Sequence, residues 1–416
     1  MFIKQSLVNI SNLLTLRYDP TSVSTNEIRN ITYKEISNWR RGQQQHANGI
    51  PSDKDIENAI RRLIRMRIEE YQVNRITVAL SSGIDSNVIL SLIRKEFPTI
   101  NIECLTVRFN DDDGSVEAID AREIAENQNA GFHEIHIDNP LRDLPLLLSI
   151  IKEPRWNVYQ YYFIEKAKTI SNTLFTGDGG DELFAGYIFR YKKFLESVKS
   201  NYSWLDRVQT YLQCHERDWV PDQEDIFGEK IEFNWSSIYL KLKKYFDNEL
   251  DPLEQVLLAD YHGKLMYDFI PTNEKYFKHF NINGIAPLLS NEIIDLSIRI
   301  PVSLKYDFTH NIGKIQLHEI IKRNISSYSI ENKKMGFGMD LVKFWFRIGK
   351  EIVTSNLEKG RIFEDKIINR EWYAKSLIKI SQNKDPRYIS KMLQLLSLEI
   401  WYKLFITHEI NSTSSL

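Results

Sequence analysis

The chain has 416 residues, 42% of them hydrophobic and 26% charged, with 54 basic and 56 acidic residues and a formal net charge of -2. That length predicts two lobes or one large elaborated domain, and the composition is that of an ordinary globular protein. The near balance of charge excludes a global attraction to nucleic acid or anionic lipid, while leaving room for a local basic patch.

Residues 1–50 are poorly patterned. The opening apolar residues are interrupted by Gln5, Ser6, Asn9, Ser11 and Asn12, so no signal peptide is predicted, and no run of 18 apolar residues suggests a membrane span. The polar stretch at 40–49 reads as a linker or exposed loop. Over 53–71, Ile56, Ile60, Ile64 and Ile68 recur at helical spacing, with Ser52 or Asp53 as the cap. A buried strand is expected at 76–80, the loop Ser81-Ser82-Gly83-Ile84-Asp85-Ser86 follows, and a helix at 88–97. The alternation continues with a strand at 102–109, a helix at 116–128 and a strand at 133–137. Two helices at about 141–151 and 158–170 precede a short strand at 173–176, which runs into Gly177-Asp178-Gly179-Gly180-Asp181-Glu182. Such alternation predicts an α/β fold, an open parallel sheet flanked by helices, with both glycine loops at its carboxyl edge, where such sheets bind ligands. Beyond about residue 185 the pattern is mainly helical, packed over the active edge or forming a separate domain. The two cysteines, Cys104 and Cys214, are too few for a disulfide framework or a four-sulfur zinc site and point to a reducing cytoplasm.

The loop at 81–86 has the chemistry of an anion site. A tight turn from strand to helix aims backbone N–H groups at a ligand, and Gly83 lets the backbone approach closely. Ser81, Ser82 and Ser86 add hydroxyls. An ordinary turn with a helix cap would also account for the hexapeptide. Asp85 does not suit a phosphate unless a cation intervenes, which implies Mg²⁺ or another positive group. The loop at 176–187 adds three glycines in its first five residues and the carboxylates of Asp178, Asp181 and Glu182. Acidic residues also suit a helix start, but that does not explain the glycines. One carboxylate from each loop, Asp85 and Asp181, would serve a shared Mg²⁺.

These two motifs, about 95 residues apart, resemble the synthetase domain of the asparagine synthetase family, which includes the β-lactam synthetases and lasso-peptide cyclases. Cys104-Leu105-Thr106-Val107-Arg108-Phe109 and Phe132-His133-Glu134-Ile135 match intervening pieces. The resemblance covers about residues 52–350. It implies an adenine-nucleotide α-hydrolase-like sheet with a helical C-terminal part. Leu80, Val107, Thr176 and Gly177 would then line adenosine. Ser81, Ser82, Gly83, Asp85 and Ser86 would hold pyrophosphate, and Asp85 and Asp181 would bind Mg²⁺. The implied reaction converts a carboxylate and ATP to an acyl-adenylate, from which an amine or ammonia displaces AMP. Asn311-Ile312-Gly313-Lys314 and Lys333-Lys334-Met335-Gly336-Phe337-Gly338 extend the match, with Lys314 neutralising phosphate charge and Lys334 stabilising the α-phosphate.

The sequence departs from the family pattern in two places. Position 2 is Phe, where glutamine-hydrolysing members expose a catalytic cysteine, so the expected nitrogen source is ammonia, a separate glutaminase subunit or a substrate amine. Alignment on Pro287 puts Asn283 where the family has a glutamate assisting the amine step, Ile285 where it has arginine and Ser290 where it has aspartate. Asn273-Glu274-Lys275 replaces Val-Asp-Arg. Because Asn cannot act as a general base, Asp178 is the expected substitute. The carboxylate is a small molecule or a peptide, with no nucleic acid or membrane partner. The expected boundaries are a segment at 1–50, the synthetase domain at 51–400 (α/β to about 190) and a tail at 401–416. The alternatives are a natural-product cyclase, a tRNA-modifying synthetase and a non-catalytic nucleotide-binding protein.

Overall fold

The computed structural model describes residues 10–22, 28–45, 49–110, 115–215, 217–325 and 339–416. Its centre is a five-stranded sheet of β1 (Arg75–Ala79), β2 (Asn101–Phe109), β3 (Gly131–Ile137), β4 (Thr173–Phe175) and β5 (Asn283–Ile285), in the order β3-β2-β1-β4-β5. Every pairing is parallel. In β1 the run Ile76, Thr77, Val78 is buried without alternation, as a strand covered on both faces must be.

The helix Asp53–Tyr71 begins at Ser52, whose side chain accepts from the Asp55 N–H while the Asp55 carboxylate accepts from the Ser52 N–H. This capping box satisfies two N–H groups that the helix cannot, and the predicted isoleucine stripe is buried beneath it. The next helix, Ile84–Glu96, begins four residues earlier than its apolar pattern suggests. Asp85 and Ser86 therefore lie in its first turn, a place where polar side chains suit the free N–H groups.

Two features were not legible in the local pattern. Residues 10–16 are helical, and a further helix, Tyr33–Gln45, runs through Arg40, so the first residues of the proposed linker at 40–49 are helical. Arg40 is held there by Glu254 at 2.6 Å and by the Arg299 and Ile300 carbonyls. The fifth strand, β5, is a short extended piece within the region that is, as expected, mainly helical.

The helical part shares its cores with the sheet. Ile76, Val78 and Val88 belong to one apolar cluster with Leu253, Ile294 and Leu317. Leu105, Leu144 and Leu174 belong to a second with Trp345, Met392 and Leu396. Ile10 and Leu14 enter the second cluster, and Leu16, Tyr18, Ile31 and Ile36 the first. The final helix, Pro386–Phe405, is buried along most of its length. Among the described residues no helix is long and apolar enough to cross a membrane.

Candidate active site

The loop after β1 is folded onto itself. The Ser86 hydroxyl donates to the Ser81 and Gly83 carbonyls, at 3.2 and 3.1 Å, and accepts from the Ser81 N–H. The Gly83 N–H donates to the Ser81 hydroxyl at 3.1 Å, and the Asn87 amide reaches the Gly83 carbonyl at 2.9 Å. Gly83 is the N-cap and has no side chain to offer, so among the described residues no side chain caps this helix start, the kind of N-terminus that suits an anion. Leu80 and Thr106 tie this loop to the next strand: Leu80 donates to the Leu105 carbonyl at 2.9 Å and Thr106 to the Leu80 carbonyl at 2.7 Å. Leu80, Val107 and Thr176 are all buried at this edge.

The second loop approaches the first as only glycine permits. Gly179 sits at φ +92°, in the left-handed region. A Cβ at Gly180 would overlap the Asp85 carboxyl, and one at Gly186 would overlap the Asp181 carboxylate and the Lys314 side chain. The three glycines thus bring Asp85 and Asp181 to one point. Lys314 Nζ lies between them, 2.5 Å from Asp85 and 2.7 Å from Asp181. Lys314 is buried, with its N–H bonded to the Phe184 carbonyl at 2.8 Å. Burial works against its charge, but Asp181 and Asp85 outweigh that and hold its pKa above the ordinary lysine value.

Glu182, the third acidic residue of the loop, does not join them. It is buried and accepts from the Tyr187 hydroxyl at 2.6 Å, and burial next to Asp181 raises its pKa.

Asp178 occupies a separate position. Thr176 Oγ1 donates to its Oδ2 at 2.8 Å, and Asn273 Nδ2 donates to the same oxygen at 3.0 Å. Loss of hydration pushes its pKa up, the two hydrogen bonds pull it down, and the Asp85 charge adds to the rise; the net shift is upward. Sequence reading missed Asn273, which was noted only as a departure from a family Val. Its buried side chain in the helix Ile270–Phe280 gave no sign of a contact 95 residues away.

Asn283 lies apart from both acidic loops. The register pairs it with Thr173, the first residue of β4, so it is exposed at the amino edge, away from both loops. Ile285 is buried in the sheet. Ser290 caps the helix Asn291–Arg299 by accepting from the Ile293 N–H, a task that Ser and Asp perform equally well. Lys275 is tied to Glu153 at 2.7 Å and to the Ile151 carbonyl at 2.6 Å. Lys334 lies outside the described residues.

The donor set fits Mg²⁺. Asp85 and Asp181 are hard oxygen ligands within reach of one nitrogen, in a cradle that a Cβ at Gly180 or Gly186 would fill. Among the described residues no group of three or more His, Cys, Asp or Glu could hold a metal ion. Two carboxylates leave the remaining positions to phosphate and water, the arrangement Mg²⁺ favours.

A search of curated proteins finds no match for the chain. The family model described as asparagine synthase matches residues 55–403, which takes in both acidic loops, Asn273 and Lys314, so the chain belongs to the asparagine synthase family.

Proposed function

We propose that this protein forms an amide bond in two steps at the carboxyl edge of the sheet, using ATP to activate a carboxylate. The family points to ATP-dependent amidation in general. The observation that carries the finer reading is the meeting of Asp85 and Asp181 on Lys314, which joins the two loops at one point and supports reading that point as a polyphosphate site.

In the first step a carboxylate oxygen attacks the α-phosphorus of ATP, and the bond to pyrophosphate breaks. Leu80, Val107, Thr176 and Gly177 line the adenosine, while Ser81, Ser82, Gly83 and Ser86 hold the departing pyrophosphate through N–H and hydroxyl donors. Asp85 and Asp181 would hold Mg²⁺, which would supply neutralising charge at the phosphate oxygens. Lys314 adds a cation there, and Lys334 is assigned to the α-phosphate.

In the second step an amine nitrogen attacks the acyl carbon and AMP leaves with the C–O bond electrons. Asp178 accepts the proton released from nitrogen. Its upward-shifted pKa suits a general base better than an ordinary aspartate. The nitrogen source is ammonia, from solution or from a separate glutaminase subunit, or an amine carried by the substrate. The cell compartment proposed is the cytoplasm.

The test is pyrophosphate release from ATP and Mg²⁺ with a panel of small and peptide carboxylates, comparing the wild type with Asp181→Ala. Acid-dependent release that the variant loses is the expected result. Well-folded wild type that releases none with any acid refutes the proposal.

A further inference from the structure

We propose that Lys314 makes the site selective for a divalent cation arriving with a polyphosphate, by occupying the cation position itself until the nucleotide comes. This rests on the reading that Asp85 and Asp181 are the metal ligands.

The geometry is that of a placeholder. A single ammonium reaches both carboxylates, at 2.5 and 2.7 Å, and so stands where an ion bridging them would stand. The base of the side chain is anchored, so only its terminal atoms can shift. It is buried, its backbone is in the left-handed region at φ 54°, and its N–H is fixed to Phe184. A Cβ at Gly186 would overlap its ε carbon, and one at Gly313 would overlap the Ala185 carbonyl, so the segments around it are in direct contact.

Charge arithmetic then decides what can enter. Two carboxylates carry two negative charges, and Lys314 leaves one uncompensated. A free divalent ion added to that pair meets an ammonium a few ångströms away and leaves the point net positive. A polyphosphate changes the balance, because its oxygens accept the ammonium while the ion takes the carboxylates. Lys314 then moves from carboxylate partner to phosphate partner over a short distance, within the reach of its own terminal carbons. The site therefore takes metal and nucleotide together and discriminates against metal alone.

The experiment measures Mn²⁺ binding by electron paramagnetic resonance, with and without a non-hydrolysable ATP analogue, in the wild type, Lys314→Met and Lys314→Gln. The wild type is expected to bind Mn²⁺ only with the analogue. Both variants are expected to bind one Mn²⁺ without it, at least about tenfold more tightly than the wild type, since like charges at this range repel strongly. Thermal melting provides a second readout that needs no turnover: Mn²⁺ alone should raise the melting temperature of the variants and leave that of the wild type unchanged. The Gln variant keeps polar contact with the carboxylates and covers the case in which the Met variant does not fold. Wild type that binds Mn²⁺ alone as tightly as the variants overturns the proposal. So do folded variants that bind no Mn²⁺ alone beside a wild type that binds it with the analogue, and in that case the ATP reading stands. Absence of Mn²⁺ from the wild type even with the analogue overturns both.

Discussion

Substituting Asn273→Leu should isolate the second half of the proposed reaction. Asp178 Oδ2 receives two donors, from Thr176 at 2.8 Å and Asn273 at 3.0 Å, and the substitution removes one of them. A hydrogen bond to a charged acceptor contributes about 1.5–3 kcal/mol. At about 1.4 kcal/mol per factor of ten, amide formation should slow roughly tenfold to a hundredfold. The fold should survive, because leucine is close in size and the substitution also removes the buried Asn273 Oδ1, which has no hydrogen-bond partner among the described residues. The sign of the pH effect follows from the same contacts. Both donors lower the Asp178 pKa, so losing one raises it further, and the acid limb of amide formation moves to higher pH. The assay compares ATP–pyrophosphate exchange, which reports adenylation, with single-turnover amide formation across pH. Exchange should stay near the wild-type rate while amide formation falls. An unchanged pH profile, or an equal fall in both half-reactions, refutes the assignment of Asn273 to Asp178.

Gly180→Ala places a methyl group against the Asp85 carboxyl, and a displacement of about 1 Å at such a point costs on the order of a hundredfold in rate; pyrophosphate release should fall while the melting temperature holds. Asp218 is buried between Lys264 at 2.5 Å and Arg17 at 3.6 Å, which overcome the effect of burial and hold its pKa at about 2. Its stabilisation is present above the ordinary aspartate range and is lost as pH falls toward 2. Asp218→Asn should therefore destabilise at neutral pH by about 3–5 kcal/mol and flatten the loss of stability between about pH 4 and 2, as read by denaturant titration. Leu14→Ala, at a buried position, should cost about 2–5 kcal/mol of stability; a change within error would mean that the N-terminal segment is not part of the core.

The legible parts of the fold were those written in local periodicity. The isoleucine stripe at 56, 60, 64 and 68 marked its helix, and the apolar runs before each glycine loop marked β1 and β4. What escaped depends on distant partners. The helical residues 10–16 are too few for a repeating pattern. They are fixed by Lys391 and Gln223, which donate to the Leu14 carbonyl from far along the chain. β5 is three residues with one glycine, too short to alternate, and it exists because β4 offers an open edge. At the site, residue types announced the acidic loops. Which carboxylate goes where was decided by packing: Glu182 turned to Tyr187, Asp178 to Asn273, and only Asp181 to Asp85 and Lys314.

Lys314 has a consequence for attempts to stabilise this protein. Its left-handed backbone costs an L-residue roughly 1–2 kcal/mol, so glycine or asparagine is the replacement that backbone preference alone would select. Either would relax the turn between Gly313 and the helix Ile315–Asn324. Either would also delete the ammonium that holds two acidic loops together in the absence of nucleotide. Breaking a buried ion pair costs about 3–5 kcal/mol, more than the relaxed turn returns, so a melting-temperature screen should retain lysine at 314 despite its unfavourable backbone, and stability and the proposed site chemistry hold the same residue in place.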